Sequence, residues 1–253
     1  MNFDKSEHSI VWHKNPGNYL LNDQNVHLWL ATQNIENDYI ASLYAILSND
    51  EKERANRFYF EKDRNSYIVS RALLRILIGK YLNQKPDSII FKYAKYDKPY
   101  ISEHLNYLNL QFNVSHSHGK VLIGFTKIRN IGVDIELVRT LEGAADIVNR
   151  NFSQYERHIY NSLPKSLQDR AFFNCWTRKE AFIKAIGKGL TYPLDAFTVS
   201  IAPMEEARLL DVKNDSQEKE KWILKDIGIN ADYVAAMVIE SGECQLACYK
   251  WEW

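Results

Sequence analysis

The segment WTRKEAFIKAIGKGL, Trp176 to Leu190, constrains the fold of this 253-residue chain more than any other. Its glutamate, alanine, lysine and arginine residues favour helix and no proline interrupts them, so the segment predicts a rigid helix. Gly187 and Gly189 predict where the helix ends, because glycine adopts the left-handed backbone of a helix stop at little cost. Trp176 and Ile183 would anchor one face of this helix to an apolar core.

Two charged residues of this helix are candidates for chemistry. Glu180 and Lys184 are four positions apart and therefore lie on the same helix face. A carboxylate and an ammonium held on a rigid, partly buried helix are suited to a site for a metal ion and phosphate. The same spacing is also common in surface ion pairs, so the segment alone leaves both interpretations open.

The composition of the chain excludes several function classes. The net charge is zero, so no bulk attraction to nucleic acid is expected. Three cysteines, an odd and sparse set, predict free thiols in a reducing compartment. The sequence has neither a run of about 18 apolar residues, which a membrane span would need, nor the apolar stretch of a signal peptide. These features predict a cytoplasmic protein without membrane or nucleic-acid partners.

The order of the predicted helices and strands indicates an α+β fold. A strand is predicted at residues 27–32, a charged helix within 43–60 and a long helix at 62–82. Ser153 and Glu156 have the spacing of a capping box, which predicts a helix that starts near Ser153. Strands mix with these helices without strict alternation, which favours α+β over α/β.

Basic residues in the first half of the chain form a candidate anion site. Arg64, Arg71 and Arg75 are spaced by seven and four residues, which places three guanidiniums in one stripe of the long helix. Arginine can hold phosphate oxygens through two hydrogen bonds, although the same stripe would suit a solvated helix face. Lys98 precedes Pro99, and a proline favours extended backbone at the residue before it, so Lys98 is expected at the edge of a turn.

A predicted strand delivers polar side chains to its end. Apolar and polar residues alternate from Leu108 to Ser115, which is the period of a half-buried strand. Ser115 and His116 fall at the end of the strand, followed by Ser117. A hydroxyl and an imidazole at this position can bind an anion, although an isolated histidine is more often structural.

The segments VLIGFT and IGVDIEL, residues 121–126 and 131–137, are predicted to pair as a hairpin. Asp134 and Glu136 are two positions apart, so their carboxylates face the same side of the second strand. Their repulsion is destabilising unless a cation lies between them, and an oxygen-only pair suits Mg²⁺ or Mn²⁺ rather than zinc. A solvent-facing acidic strand would show the same spacing. If Glu180 joins them, three carboxylates would hold a metal ion together with nucleotide phosphates.

Three motifs together resemble one enzyme family. The segments FNVSHS (112–117), IGVDIE (131–136) and WTRKEAFIKAIGKGL (176–190) are similar, in order and spacing, to the signature of the Sfp-type 4′-phosphopantetheinyl transferases. The resemblance extends to the secondary motifs RFYFEKDRNSY…SRALLR, YDKPY and RNFSQYE, and so spans most of the chain. Positions that depart from the family pattern, such as Asp97 in place of a common glycine, lie away from the predicted metal site.

The resemblance implies a fold and a reaction. The fold would be an intramolecular pseudo-dimer of two similar α+β halves, residues 1–110 and 111–253, with the metal site in the second half and coenzyme A between them. The protein, as a monomer, would move the 4′-phosphopantetheine arm of coenzyme A to a serine of an apo acyl or peptidyl carrier protein. The reaction would use Mg²⁺ or Mn²⁺ and release 3′,5′-ADP, as in a holo-[acyl-carrier-protein] synthase.

The resemblance also implies roles for individual residues. Three acidic residues would hold the metal ion, namely Asp134, Glu136 and Glu180. Glu180, directly or through a metal-bound water, would also be the general base for the incoming serine. Lys184 would contact the α-phosphate and offset the charge of the leaving group. Ser115 and His116 would contact the coenzyme A phosphates. The 3′-phosphate or adenine side would be held by Lys98, Arg71 and Arg54, with Lys52 as an alternative to Arg54.

Two other functions fit the same residues. The chain could be a different Mg²⁺-dependent enzyme that acts on a nucleotide pyrophosphate, or a module that binds coenzyme A without chemistry. The complete set of Asp134, Glu136, Glu180 and Lys184 argues against a module without activity. A transfer assay with an apo carrier protein would distinguish all three.

Overall fold

The computed structural model describes residues 10–15, 17, 19–96 and 98–253, with Leu190 described by its backbone alone. Residues 1–9, 16, 18 and 97 therefore lie outside the described residues. Among the residues that are described, no helix combines the length and the apolar content that crossing a bilayer would require.

Six α-helices and twelve strands form the described part of an α+β fold. The helices are α1 Asn37–Ile46, α2 Asn49–Asn56, α3 Glu61–Leu82, α4 Ala144–Asn151, α5 Gln154–Ser162 and α6 Lys165–Ile186. The first six strands are β1 Trp12–His13, β2 Asn25–Thr32, β3 Phe91–Tyr93, β4 Pro99–Ile101, β5 Leu110–Ser117 and β6 Lys120–Lys127. The last six are β7 Ile131–Leu137, β8 Phe197–Val199, β9 Leu209–Val212, β10 Trp222–Asp226, β11 Tyr233–Glu240 and β12 Gln245–Lys250.

The helix ends follow from local capping chemistry. The capping box predicted at Ser153 is present, since its hydroxyl accepts from the backbone N–H of Glu156 and the Glu156 carboxylate accepts from that of Ser153. Helix α6 ends at Gly187, whose φ of 66° is the left-handed stop predicted there. The single charged helix predicted within 43–60 is instead interrupted, because Ser48 and Glu51 form a second capping box that starts α2.

The same order of elements occurs twice along the chain. From β2 to β6 the chain forms a strand, two short helices, a 22-residue helix, a two-stranded ribbon and two antiparallel strands. The same series runs from β7 to β11. In each half the first strand pairs with the last, and the last pairs with the one before it, giving the orders β2-β6-β5 and β7-β11-β10. The topology thus repeats as the predicted pseudo-dimer requires, although no sequence repeat is evident.

The strand pairing differs from the prediction at one point. The hairpin predicted between residues 121–126 and 131–137 is wrong, because β6 pairs with β2 and β5 while β7 pairs with β11. The turn between them carries the chain from the first sheet to the second. Since β5 and β6 belong with β2, we propose that the two halves divide near residues 128–130 rather than at 110/111.

A shared apolar core joins the two halves. Side chains of the first sheet, including Val26, Leu28 and Leu122, pack with Ile131 and Met237 of the second. At its C-terminal end the chain returns to the first sheet, where β12 lies parallel to β2 and β1 lies parallel to β12. Neither half therefore buries all of its apolar surface by itself.

Candidate active site

Helix α6 packs directly on strand β7 at a glycine. A methyl group added at Gly132 would lie 2.0 Å from the carbonyl oxygen of Ala181 and 2.5 Å from the amide nitrogen of Ala185, so only glycine permits this approach. The alternation predicted for β7 holds, since Ile131, Val133 and Ile135 enter the core and Asp134 and Glu136 face the other way. The helix residues next to Ala181 and Ala185 are thereby brought against the carboxylates of β7.

Lys184 and Asp134 form the centre of the site. The Lys184 ammonium donates to Asp134 Oδ1 at 2.6 Å and to Ser115 Oγ at 3.2 Å. The Ser115 hydroxyl in turn donates to the same Asp134 oxygen at 2.6 Å. Asp134 is only 4% exposed, so this ion pair is shielded from water. Residues 115, 134 and 184 thus meet although they are far apart in the chain.

The other two acidic residues face the same space. Burial raises the pKa of Glu136, which accepts a hydrogen bond of 2.7 Å from Ser117, and the charge of Asp134 adds to the increase. Burial likewise raises the pKa of Glu180, while Lys184 lowers it and Asp134 and Glu136 raise it further. Each of these two carboxylates therefore lies within reach of the charge of Asp134, and their joint role as metal ligands stays a prediction.

Two buried oxygen atoms of this group have no hydrogen-bond partner. They are Asp134 Oδ2 and Glu180 Oε1. A buried carboxylate oxygen without a partner is costly, and a hard cation satisfies such oxygens well. Within the described residues, no three acidic, histidine or cysteine side chains are arranged so that they could hold a metal ion by themselves. The donor set therefore suits a cation that completes its shell with ligand phosphates and water.

His116 follows Ser115 on β5, so its side chain faces the opposite side of the strand from those of Ser115 and Ser117. Its side chain is exposed to solvent, while the surrounding protein and the Lys184 charge lower its pKa. A neutral imidazole keeps one N–H donor for an anionic ligand. The phosphate contact of His116 stays a prediction.

Lys98 connects the β3–β4 turn to the carboxylate site. Its ammonium donates to the backbone carbonyl of Lys184 at 2.7 Å and to that of Ile131 at 3.4 Å. Burial lowers the pKa of Lys98 to about 8. A lysine has three donors, so one remains for a ligand. A groove of about 340 Å³ between the halves is lined by Lys98, Tyr100, Ala185 and Gly187, among others.

The predicted arginine stripe is divided by an ion triad. Glu51 accepts from Arg71 and from Arg75, each at 2.6 Å. Arg75 is 1% exposed and also donates to the carbonyls of Pro86 and Ile89, so it serves the fold and not a ligand. Arg64 lies apart at the surface, 3.6 Å from Glu61. The stripe is therefore not a continuous anion site.

Arg71 and Arg54 remain candidates for anion binding. One Glu51 carboxylate faces both Arg71 and Arg75, so one positive charge is not neutralised by this triad. The Arg71 guanidinium also lies over the Phe91 ring and donates to the Tyr93 hydroxyl. Arg54 is exposed, with its guanidinium 5.6 Å from the centre of the Tyr67 ring.

Two site residues escaped the sequence predictions. Asn113 Oδ1 accepts from the Val133 N–H at 2.9 Å, and the Ser117 hydroxyl holds Glu136. Both lie on β5 at two-residue intervals from Ser115, and both are less than 9% exposed. The spacing of residues 113, 115 and 117 could have identified them, since polar residues at every second position of a strand share one face.

Two family models match adjoining parts of the chain. The model of the 4′-phosphopantetheinyl transferase superfamily matches residues 130–238, and a model of an N-terminal 4′-phosphopantetheinyl transferase domain matches residues 32–127. The two matches adjoin at the turn where we divide the halves.

Individual known proteins match different shares of the chain. The 4′-phosphopantetheinyl transferase HetI of Nostoc sp. is 32% identical over 229 residues, which is 90% of this chain and 93% of that protein. The 4′-phosphopantetheinyl transferase Sfp of Bacillus subtilis is 32% identical over 157 residues, 62% of this chain and 67% of that protein. A solved holo-(acyl-carrier-protein) synthase of Bacillus anthracis covers 45% of this chain and 96% of its own, with 21% identity and a TM-score of 0.35.

Proposed function

This chain belongs to the 4′-phosphopantetheinyl transferase superfamily, and on that premise we propose that it transfers the 4′-phosphopantetheine arm of coenzyme A to a carrier protein. The acceptor is a serine of an apo acyl or peptidyl carrier protein, and the second product is 3′,5′-ADP. The observation that carries the proposal is the contact of Lys184 with Asp134 and Ser115, beside two unpartnered carboxylate oxygens.

The reaction is a phosphoryl transfer in which one P–O bond replaces another. The serine oxygen of the carrier forms a bond to the β-phosphorus, and the bond from that phosphorus to the bridging oxygen breaks. The leaving α-phosphate carries the new negative charge away with 3′,5′-ADP. Catalysis of such a step depends on positioning and on stabilising this charge.

Glu180 and Lys184 supply these two functions from one helix face. The raised pKa of Glu180 makes its carboxylate a better proton acceptor, so we assign it as the base for the carrier serine. Lys184 is partly buried, and its ammonium offsets the charge that develops on the α-phosphate. Glu180 and Lys184 are fixed with respect to each other because α6 is rigid and its centre is buried.

The acidic residues fit a bound Mg²⁺ or Mn²⁺ ion. Asp134, Glu136 and Glu180 would hold it, and the unpartnered Asp134 Oδ2 and Glu180 Oε1 are available as ligands. When bound, the ion supplies positive charge to the diphosphate. Lys184 donates to Asp134 in this structure, and with the ion holding the aspartate its ammonium would be available to a ligand phosphate.

Coenzyme A would be held at the junction of the two halves. His116 and Ser115 lie beside Lys184 and would contact the diphosphate. Lys98 has one donor left for the 3′-phosphate or adenine side. Arg71 would bind the same part of coenzyme A, because Glu51 does not neutralise the charges of both Arg71 and Arg75. Arg54 is the fourth candidate, with Lys52 as its alternative.

We also propose that the protein acts as a monomer in the cytoplasm. The two halves of one chain already provide the cleft that a pseudo-dimer requires. Cys175, Cys244 and Cys248 are all free thiols, which suits a reducing compartment.

A transfer assay tests the proposal directly. The full-length chain is incubated with coenzyme A, Mg²⁺ and several apo carrier proteins, and each carrier is examined by intact-mass spectrometry. We expect a mass gain of one phosphopantetheine group, which EDTA abolishes. The Glu180→Gln variant serves as the inactive control, and the exposed Glu243→Gln variant as the active one.

The same assay separates the alternatives. Consumption of coenzyme A without any modified carrier would favour a different nucleotide-pyrophosphate enzyme. Binding of coenzyme A without turnover, measured by calorimetry, would favour a module without activity. Either outcome, obtained with carriers of all three biosynthetic types (fatty acid, polyketide and nonribosomal peptide), would overturn the proposed transfer.

A further inference from the structure

The outer edge of β7 is covered by side chains instead of a strand. Within the described residues β7 pairs only with β11, which leaves the backbone groups of its other edge facing β5. Such edge groups need partners when they are buried. Four side chains provide them: Lys98 for Ile131 O, Asn113 for Val133 N, Lys184 for Val133 O and Ser117 for Leu137 N.

Strand β5 presents three of its polar side chains to this edge. Asn113, Ser115 and Ser117 occupy alternate positions, so they share one face of β5, and all three are at most 8% exposed. Asn113 holds the backbone of β7 at Val133. Ser115 and Ser117 each donate to a carboxylate of β7, Asp134 at 2.6 Å and Glu136 at 2.7 Å.

The Ser117 hydroxyl is completely used in this arrangement. It donates its one hydrogen to Glu136 Oε2 and accepts from the Leu137 N–H at 3.3 Å. Its remaining contact is His118 Nδ1 at 3.0 Å, which can donate as the N–H tautomer. Ser117 therefore holds both the side chain of Glu136 and the backbone that follows it.

We propose that Ser117 is a positioning residue for the metal ion, acting through Glu136. The inference rests on the proposed function, in which Glu136 is a metal ligand. Without Ser117, the Glu136 carboxylate can rotate and must be ordered when the cation binds. With Ser117 in place, a hydrogen bond from β5 holds Glu136 Oε2, so the carboxylate keeps one orientation toward the cation. Partners of metal ligands typically change metal affinity about 10–100-fold when removed.

Metal affinity measured without the reaction tests this role. Binding of Mn²⁺ to the full-length protein is followed by electron paramagnetic resonance, with and without coenzyme A. We expect Ser117→Ala to weaken Mn²⁺ binding about tenfold, and Ser117→Thr, which keeps the hydroxyl, to restore most of it. Ser102→Ala is the matched control, because Ser102 is equally buried but its hydroxyl contacts only His104. That variant should bind Mn²⁺ like the unmodified chain.

Thermal unfolding shows whether each variant is folded at the assay temperature. Wild-type Mn²⁺ affinity in a folded Ser117→Ala variant would overturn the inference, and so would equal losses in Ser117→Ala and Ser102→Ala. If Ser117→Ala does not fold, Ser117→Cys replaces the hydroxyl by a weak donor and must show the loss. Carrier modification is measured separately. Mn²⁺ binding that depends on Ser117 in a protein without transfer activity would refute the proposed function but not the positioning role.

Discussion

Single residues of the carboxylate group are expected to differ in what they contribute. We predict that Glu180→Gln and Asp134→Asn each lower carrier modification by at least about 100-fold, because each removes a metal oxygen and Glu180 also accepts the serine proton. Both variants should remain folded, because each amide has the shape of the carboxylate that it replaces, and an amide oxygen at position 134 can still accept from Ser115 and Lys184. Intact-mass kinetics with a circular dichroism check measures this, and near-normal rates in either variant would contradict the assigned roles.

His116 is expected to affect binding more than chemistry. Its imidazole is exposed to solvent and has a lowered pKa, so at neutral pH it acts as an uncharged donor. We predict that His116→Ala raises the KM for coenzyme A about tenfold, the value of one hydrogen bond to a charged group, with a smaller change in kcat. Steady-state kinetics at saturating carrier measures the two constants, and an unchanged KM would remove His116 from the site.

His27 predicts a pH dependence of stability that is independent of the active site. Trp29 Nε1 donates to the Tyr81 hydroxyl, whose hydrogen is then directed to His27 Nδ1 at 2.8 Å. This contact requires a neutral ring, and burial lowers the pKa of His27 to about 4. Because the unfolded state binds the proton more readily, the stabilisation that depends on neutral His27 is fully present above pH 6.5. It is lost as the pH falls towards 4.

The size of this effect can be measured by substitution. Full protonation of His27 at low pH would remove about 3 kcal/mol. Urea unfolding should show that the contribution of His27 to the free energy of unfolding falls by about 2 kcal/mol between pH 7.5 and pH 5. His27→Asn keeps an acceptor near the Tyr81 hydroxyl but does not titrate, so its loss over the same interval should be smaller by about this amount. Equal losses in the two proteins would show that His27 is not the group responsible.

At the scale of elements, the contact between β7 and α6 determines whether the site exists. We predict that Gly132→Ala destabilises the protein by more than about 2 kcal/mol, because the new methyl group overlaps the backbone of α6 at Ala181 and Ala185. Any folded fraction should lose transfer activity, since Glu180 and Lys184 move away from Asp134 with the helix.

Gly228→Ala is the matched control for this substitution. Nothing lies within 4 Å of its added methyl group, and its backbone is not left-handed. Its free energy of unfolding and its activity should remain close to those of the unmodified chain. If Gly132→Ala were equally stable and active, the close approach of helix and strand would be refuted.

At the scale of the molecule, the two halves are expected to fold as one unit. Strand β12 completes the first sheet beside β2, and Trp251 and Trp253 cover the aromatic cluster around Trp29. We predict that a chain ending at residue 243 does not reach the native state, whereas one ending at residue 250 folds with reduced stability. Near-ultraviolet circular dichroism and size-exclusion chromatography would measure both. A native-like protein ending at residue 243 would show that the first sheet does not need β12 and would contradict this prediction.

The amino-acid sequence by itself determined the local features of the site. The two-residue period placed Asp134 and Glu136 on one face of β7, and the four-residue spacing placed Glu180 and Lys184 on one face of α6. The helix ends at Ser153 and Gly187 were also predictable, because capping depends on residues that are close in the chain. Similarity of motifs supplied the family and its reaction.

Only the tertiary structure decided which elements meet. Backbone hydrogen bonds between strands are chemically alike for all residues, so the sequence between 120 and 137 suggested a hairpin that does not form. The partners of β7 come from distant segments: β11 on one edge, and Asn113, Ser117 and Lys98 on the other. The buried ion pair of Arg75 and Glu51 could not be predicted from the sequence either. Periodicity shows which residues share a helix face but not what that face contacts.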